Sequence, residues 1–267
     1  MMQKVIVVTG CNSGFGEVLT SSLHDYTLVG TVRKLPANPS KHVDYQLLEL
    51  TNQQDIDRLY TYIEKTYGRI DVLINNAGYS QGGVIEALTI DDMRQQFETN
   101  VFGQLALTKS LLPLLKKSTT SKIIMLSSIS GQIGFPALGA YAASKFALTG
   151  FSQSLRSELL PLGITTSIIE AGAFKTNIWK KARNSAKLSE EATYKELQDY
   201  MMTYVQQVET AGADPIKLVK TVTRIIQAKK PAFRYTIGVR TKLAITMTRL
   251  FPATVEKLVL RRMRHMR

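Results

Sequence analysis

Short apolar runs alternate along this chain with longer segments of helical periodicity. The runs at 5–9, 27–32, 44–48, 72–75, 121–127, 164–169 and 233–237 read as strands. Between them, 17–23, 55–67, 90–115, 142–160, 193–210 and 215–228 carry the pattern of helices. Strands that alternate with helices predict right-handed βαβ units, and so an α/β fold with a doubly wound parallel sheet. Pro161 and Gly163 supply the expected stop for the helix ending at 160. The stretch 175–214 breaks the alternation and predicts an insertion ahead of the last helix and strand.

With 267 residues, 44% of them hydrophobic, the chain can bury one large core. No linker, repeat or low-complexity tract divides it, so one domain is expected over 1–239, with 175–214 as a helical lid. The remainder, 240–267, is an amphipathic extension. It holds eight Lys/Arg and one acid, Glu256, more than half of a formal net charge of +13. Apolar residues recur regularly over 243–260. Such a segment can rest on an anionic membrane surface or pack on the domain with a solvated basic face. Basic residues are not interleaved with aromatics, so no nucleic-acid partner is expected. A single cysteine, Cys11, excludes an internal disulfide and suits a reducing compartment. His24, His42 and His265 are scattered, which leaves no cluster for a zinc ion, and no metal is expected. The chain opens on a strand, and no apolar run approaches the roughly 20 residues that span a bilayer. A cytoplasmic protein is expected, with peripheral membrane contact left open.

Two local patterns carry chemistry. The first follows the opening strand: Thr9-Gly10-Cys11-Asn12-Ser13-Gly14-Phe15-Gly16, then a helix. Glycines let a backbone approach a pyrophosphate, and a helix N-terminus offers free N–H groups and a positive dipole end. A bare strand–helix turn would show the same glycines; its place in the first βα unit favours the phosphate cradle. The second is Tyr141-Ala142-Ala143-Ser144-Lys145, whose spacing stacks the phenol and the ammonium on one helix face. A phenol has a pKa of about 10, and a nearby ammonium lowers it toward a working acid–base group.

Taken together these residues resemble the short-chain dehydrogenase/reductase family over nearly the whole chain. Thr9–Gly16 is similar to its glycine motif, and Asn75-Asn76-Ala77-Gly78 to its motif after the fourth strand. Asn100 matches its helix asparagine, and Ser128 stands 13 residues before Tyr141, the spacing of its serine. Within the family the glycine turn looks like that of retinol dehydrogenases. The stretch 75–178 looks like 17β-hydroxysteroid dehydrogenase type 1 and related bacterial oxidoreductases. Two positions depart from the family pattern: Ala171-Gly172 replaces the usual Pro-Gly, with Thr176 kept, and Glu49 replaces the usual Asp beside Leu50.

The resemblance implies a Rossmann-type fold and hydride transfer between a nicotinamide cofactor and an alcohol or ketone. It implies Tyr141 as acid and base, Lys145 lowering its pKa and holding the ribose, and Ser128 bonding the reacting oxygen. Asn100 would anchor a proton-relay water. Thr9, Gly10, Asn12, Ser13, Gly14, Phe15, Gly16, Glu49, Leu50, Asn76, Ala77, Gly78, Ala171, Gly172 and Thr176 would line the cofactor. Val32 sits where NAD enzymes of the family usually carry Asp, and Arg33 follows it, free to meet a 2′-phosphate; NADP(H) is therefore favoured over NAD(H). Arg33 could instead stack on the adenine with either cofactor. By resemblance Phe135, Phe174 and Trp179 face the substrate, with Gly134, Pro136 and Leu138 near it. The insertion adds Tyr194, Tyr200, Met201, Met202 and Tyr204, which either form an adaptable apolar wall or pack the lid on the sheet. A lipophilic small molecule and a homodimer or homotetramer, formed through 90–115 and 142–160, are the implied partners. An NAD-dependent retinol or steroid oxidation and a non-catalytic dinucleotide sensor remain the alternatives.

Overall fold

The computed structural model describes residues 3–264. Seven strands form one parallel sheet: β1 (Val5–Thr9), β2 (Thr27–Val32), β3 (Val43–Leu47), β4 (Val72–Asn75), β5 (Lys122–Ser128), β6 (Thr165–Ala171) and β7 (Arg234–Ile237). Their order is β3-β2-β1-β4-β5-β6-β7. The chain winds outward one way from β1 and the other way from β4, so the crevice beyond their carboxyl ends is the switch point where ligands bind such sheets.

Among the described residues, ten α-helices flank the sheet or extend it: α1 (Gly14–Thr20), α2 (Gln53–Tyr67), α3 (Ile90–Phe97), α4 (Gln104–Lys116), α5 (Gly139–Leu159), α6 (Asn177–Asn184), α7 (Lys195–Ala211), α8 (Ile216–Gln227), α9 (Val239–Leu250) and α10 (Pro252–Arg264). Alternation within the strands sorts the core into two layers. Val5, Val7, Leu73, Ile123 and Met125 pack with Leu59 and Ile63 of α2, and with Leu107 and Leu111 of α4. Ile6, Val8, Ile74 and Ile124 pack against Leu19 of α1 and Leu218, Val222 and Ile225 of α8. Each such fully buried side chain contributes about 1.5–3 kcal/mol relative to an exposed one.

The predicted helix 90–115 is interrupted. Glu98–Gly103 forms a wide π turn between α3 and α4. The cause is Asn100: its Oδ1 accepts from Tyr79 N (3.0 Å) and its Nδ2 donates to Tyr79 O (2.9 Å), so the side chain clamps the segment that follows β4. The insertion folds as α6 and α7. Its base is closed where Lys175 N donates to Ala213 O (3.0 Å) and Ala213 N to Ala173 O (3.1 Å). The apolar tail is two helices, because Pro252 starts α10 and lacks the N–H that would continue α9. Residues 1–2 and 265–267, His265 among them, lie outside the described residues.

Candidate active site

β1 hands the chain directly to the glycine turn. Gly10 and Gly14 have φ of +72° and +61°, a conformation that resists a side chain. Gly16 is constrained by space, since a Cβ there would lie 2.2 Å from Gly10 O. Asn76, just past β4, locks the turn: its Nδ2 donates to Thr9 O (2.7 Å) and Gly10 O (3.2 Å). The Thr9 hydroxyl in turn accepts from the N–H groups of Asn76 and Ala77, both at 2.9 Å. On the other flank Asn12 Nδ2 donates to Lys34 O (2.7 Å), tying the turn to the end of β2.

These loops open onto a cleft of about 940 Å³. Gly10, Asn12, Ser13, Gly14, Phe15, Asn76, Ala77 and Gly78 line it, as do Arg33, Glu49 and Leu50. Ser128, Tyr141, Ala171, Gly172, Phe174, Thr176 and Trp179 line the same cleft. Thr9, Gly16, Asn100 and Lys145 are not on its wall and lie behind it. The Glu49 carboxylate accepts from the Thr51 hydroxyl at 3.3 Å. The cleft wall also includes Tyr79, Gln95 and Lys181, which nothing in the sequence pattern singles out.

Tyr141 and Lys145 share a face of α5, as their spacing requires, and both are buried. Lys145 Nζ donates to Leu126 O (2.9 Å) and lies 5.8 Å from the centre of the Tyr141 ring. Burial pushes the Tyr141 phenol up to about 12, against a weaker opposing hydrogen bond from Ser128. Burial likewise pulls Lys145 down to about 8. Ser128 Oγ accepts from Ser130 N (3.1 Å), and its hydroxyl also engages the Tyr141 phenol, which places both groups at the cleft. Asn100 Nδ2 also reaches Ser144 Oγ (3.2 Å), whose hydroxyl donates to Tyr141 O (2.7 Å).

Phe174 and Trp179 sit together at the lid end. Phe174 meets Phe15 edge to face with ring centres 5.2 Å apart, and Trp179 Nε1 donates to Phe174 O (3.0 Å). Phe135, Gly134 and Pro136 are not among the residues lining the cleft; in their loop Leu138 N donates to Phe135 O (3.1 Å) and Gly83 N to Ala137 O (2.9 Å). Leu138 instead joins Met201, Met202 and Val205 around a second, small apolar cavity. Tyr194 lines neither.

Residues 4–187 match the family described as short chain dehydrogenase. The chain belongs to that family. Its members use NAD(P), and the protein is an NAD(P)-dependent oxidoreductase acting on a small molecule.

Among curated short-chain dehydrogenases, the chain is 36% identical to an uncharacterized oxidoreductase, YusZ, of Bacillus subtilis, over 98% of this chain and 99% of that one. It is 33% identical to a 3-ketodihydrosphingosine reductase of Bacteroides thetaiotaomicron (89% of each). It is 31% identical to an NADPH-dependent 3-dehydrocapnine reductase of Ornithobacterium rhinotracheale (88% of each). A Streptomyces avermitilis short-chain dehydrogenase structure shares the fold at TM-score 0.81 and 30% identity, over 99% of this chain and 98% of that one. Two more distant structures carry different dinucleotides. One from Burkholderia cenocepacia holds NADP (21% identical, TM-score 0.78, 97% and 99% covered). One from Burkholderia phymatum holds NAD (22%, TM-score 0.76, 97% of each). The fold alone therefore does not select between them.

The residues present fit a dinucleotide. The first N–H groups of α1 have no side-chain cap, and the turn they belong to lines the cleft. Arg33 is exposed on the cleft rim and makes no salt bridge among the described residues.

Proposed function

We propose that this short-chain dehydrogenase is an NADP(H)-dependent reductase of lipophilic ketones, with Tyr141 as the proton donor. The observation that carries the reading is one continuous cleft whose wall joins the uncapped turn and Arg33 to Ser128, Tyr141, Phe174 and Trp179. Bound nicotinamide supplies a hydride to the carbonyl carbon. Ser128 donates a hydrogen bond to the carbonyl oxygen as negative charge grows on it. Tyr141 gives that oxygen its phenolic proton, which completes the alcohol. A phenol held near 12 stays protonated at neutral pH, as reduction requires. Protonated Lys145 stabilises the resulting phenolate across α5, and Asn100 holds that wall through Tyr79 and Ser144.

Arg33, after apolar Val32, supports a 2′-phosphate over a free 2′-hydroxyl, in line with the NADPH-dependent relative. The apolar lid and the relative named for a keto derivative of dihydrosphingosine support a substrate with a long apolar portion. The lid is taken as residues 175–214 and the catalytic domain as 1–239. Exposed Phe102, Phe146 and Phe151 on the helical face between the sheet and solvent support a homodimer or homotetramer. Titration with NADPH and NADH, followed by NADPH consumption against ketones of increasing chain length, tests the reading. Tighter NADPH binding and turnover that improves with chain length are expected. Tighter NADH binding, or turnover indifferent to chain length, contradicts it.

A further inference from the structure

Beyond the cleft, α9, α10 and the link between them carry a run of exposed apolar side chains. Val239, Leu243 and Leu250 are 86%, 60% and 66% exposed, and Phe251, Leu258 and Val259 are 51%, 60% and 43% exposed. They are not scattered. Val239, Leu243 and Leu250 share one stripe of α9, Phe251 lies between the two helices, and Val255, Leu258 and Val259 share one stripe of α10, with exposed Leu260 on its other side. Basic side chains flank both stripes: Arg240, Lys242 and Arg249 on α9, and Lys257 and Arg261 on α10, with Glu256 as the one acid.

Two helices with exposed leucines and no acidic rim would be a liability unless something covers them. A second copy of the same surface would bring like charge against like charge. A nucleic acid would use the cations and leave the leucines in water. An anionic lipid surface uses both, since its headgroups take the Lys/Arg and its acyl boundary takes the leucines. We infer that α9 and α10 form a docking face for anionic membrane, with the two helices lying in the interface.

The face is coupled to the cleft. Thr241, buried on the inner side of α9, packs against Gly172 of the cleft wall, leaving no room there for a side chain. Arg249 donates to Gln132 Oε1 (2.6 Å), in the loop that leads from Ser128 to Tyr141. A lipophilic ketone could then enter from the lipid rather than from water. That delivery step rests on the proposed function, whereas membrane docking itself does not.

The test is sedimentation of the full-length protein with vesicles of phosphatidylglycerol and phosphatidylcholine, and separately with phosphatidylcholine alone. Binding to the anionic vesicles, weakened by salt, is expected. Leu243→Glu with Leu250→Glu should abolish it. Lys257→Glu with Arg261→Glu should weaken it by roughly tenfold or more, at about 1 kcal/mol for each charge near the surface. All these positions are exposed, so thermal unfolding and turnover of a water-soluble ketone should stay unchanged. Failure of native protein to sediment, equal binding by either variant, binding that is indifferent to lipid charge, or a dimer that the leucine variant dissolves each overturns the proposal. Docking without any ketone turnover would leave the lipid face standing and remove the reductase reading.

Discussion

In the central strands β1, β4 and β5 every residue is buried, whereas the lid helices α6 and α7 bury only Ala182, Val205 and Val208. The contrast separates two tasks. Complete burial on both faces fixes the strand ends tightly, and the strand ends carry the glycine turn, Asn76 and Ser128. The lid is tied to the body mainly by polar contacts, with Gln81 Nε2 donating to Ser185 O (2.8 Å) and Lys187 N to Gly82 O (3.1 Å), while the Arg183–Glu209 pair at 3.1 Å joins α6 to α7 within it; with so little buried apolar surface it should open at lower free energy than the sheet. On the proposed function, chemistry sits on the rigid part and adaptation to the substrate on the loose part.

The hardest way to break this picture is at Tyr141. Replacing it with Phe should lower ketone turnover by about 10²–10⁴-fold or more, with NADPH affinity and unfolding temperature nearly unchanged. If affinity fell with turnover, Tyr141 would be part of the scaffold. Ile124→Ala, in the middle of the sheet, should cost about 2–5 kcal/mol in denaturant unfolding, because no neighbour can collapse into the gap.

Lys145→Met sharpens the comparison from the opposite side, since it should stabilise the fold while removing activity. The folded pKa near 8 lies below the ordinary 10.5, so burying the ammonium costs stability at every pH below 8. The shift is worth about 3 kcal/mol, offset by about 1 for the lost bond to Leu126 O. Because the folded state releases its proton first, the cost shrinks as pH rises from 8 and is gone above 10.5. Unfolding measured at neutral and at alkaline pH should therefore show the Met variant's advantage disappearing; an advantage that grew with pH would refute the burial argument. Arg33→Ala should raise the NADPH dissociation constant about tenfold and leave NADH within about twofold. The smallest effect is expected in the lid. Val205→Ala should shift global unfolding by at most about 1 kcal/mol, yet raise KM for the longest ketones. A large loss of global stability would mean that the lid belongs to the cooperative core.

The centre of the sheet was legible because short apolar runs such as 5–8 and 72–74 end at Thr9 and Asn75, and 5–9, 27–32 and 72–75 match β1, β2 and β4 to the residue. The seats of Ser128, Tyr141 and the glycine turn followed from that. The π turn was not legible, since 98–103 continues the periodicity of its neighbours and its cause is a tertiary clamp between Asn100 and Tyr79. Gly103 was the available sign, because a Cβ there would lie 2.8 Å from Leu50 Cβ. Nor was α6, which is only eight residues long, so Ile178, Trp179 and Ala182 on one face are too few to announce a helix. Spacing puts Lys145 on the right face, but it cannot tell that the amine bonds a carbonyl of β5 or how deeply the pair is buried. The break between α9 and α10 was written in Pro252.

The most direct measurement uses NADPH carrying deuterium at the transferable C4 position, with the native enzyme and a long-chain ketone. The account predicts an alcohol with deuterium on the former carbonyl carbon, formed in step with NADPH consumption. Tight NADPH binding with no label transferred to any ketone across a broad panel would contradict it.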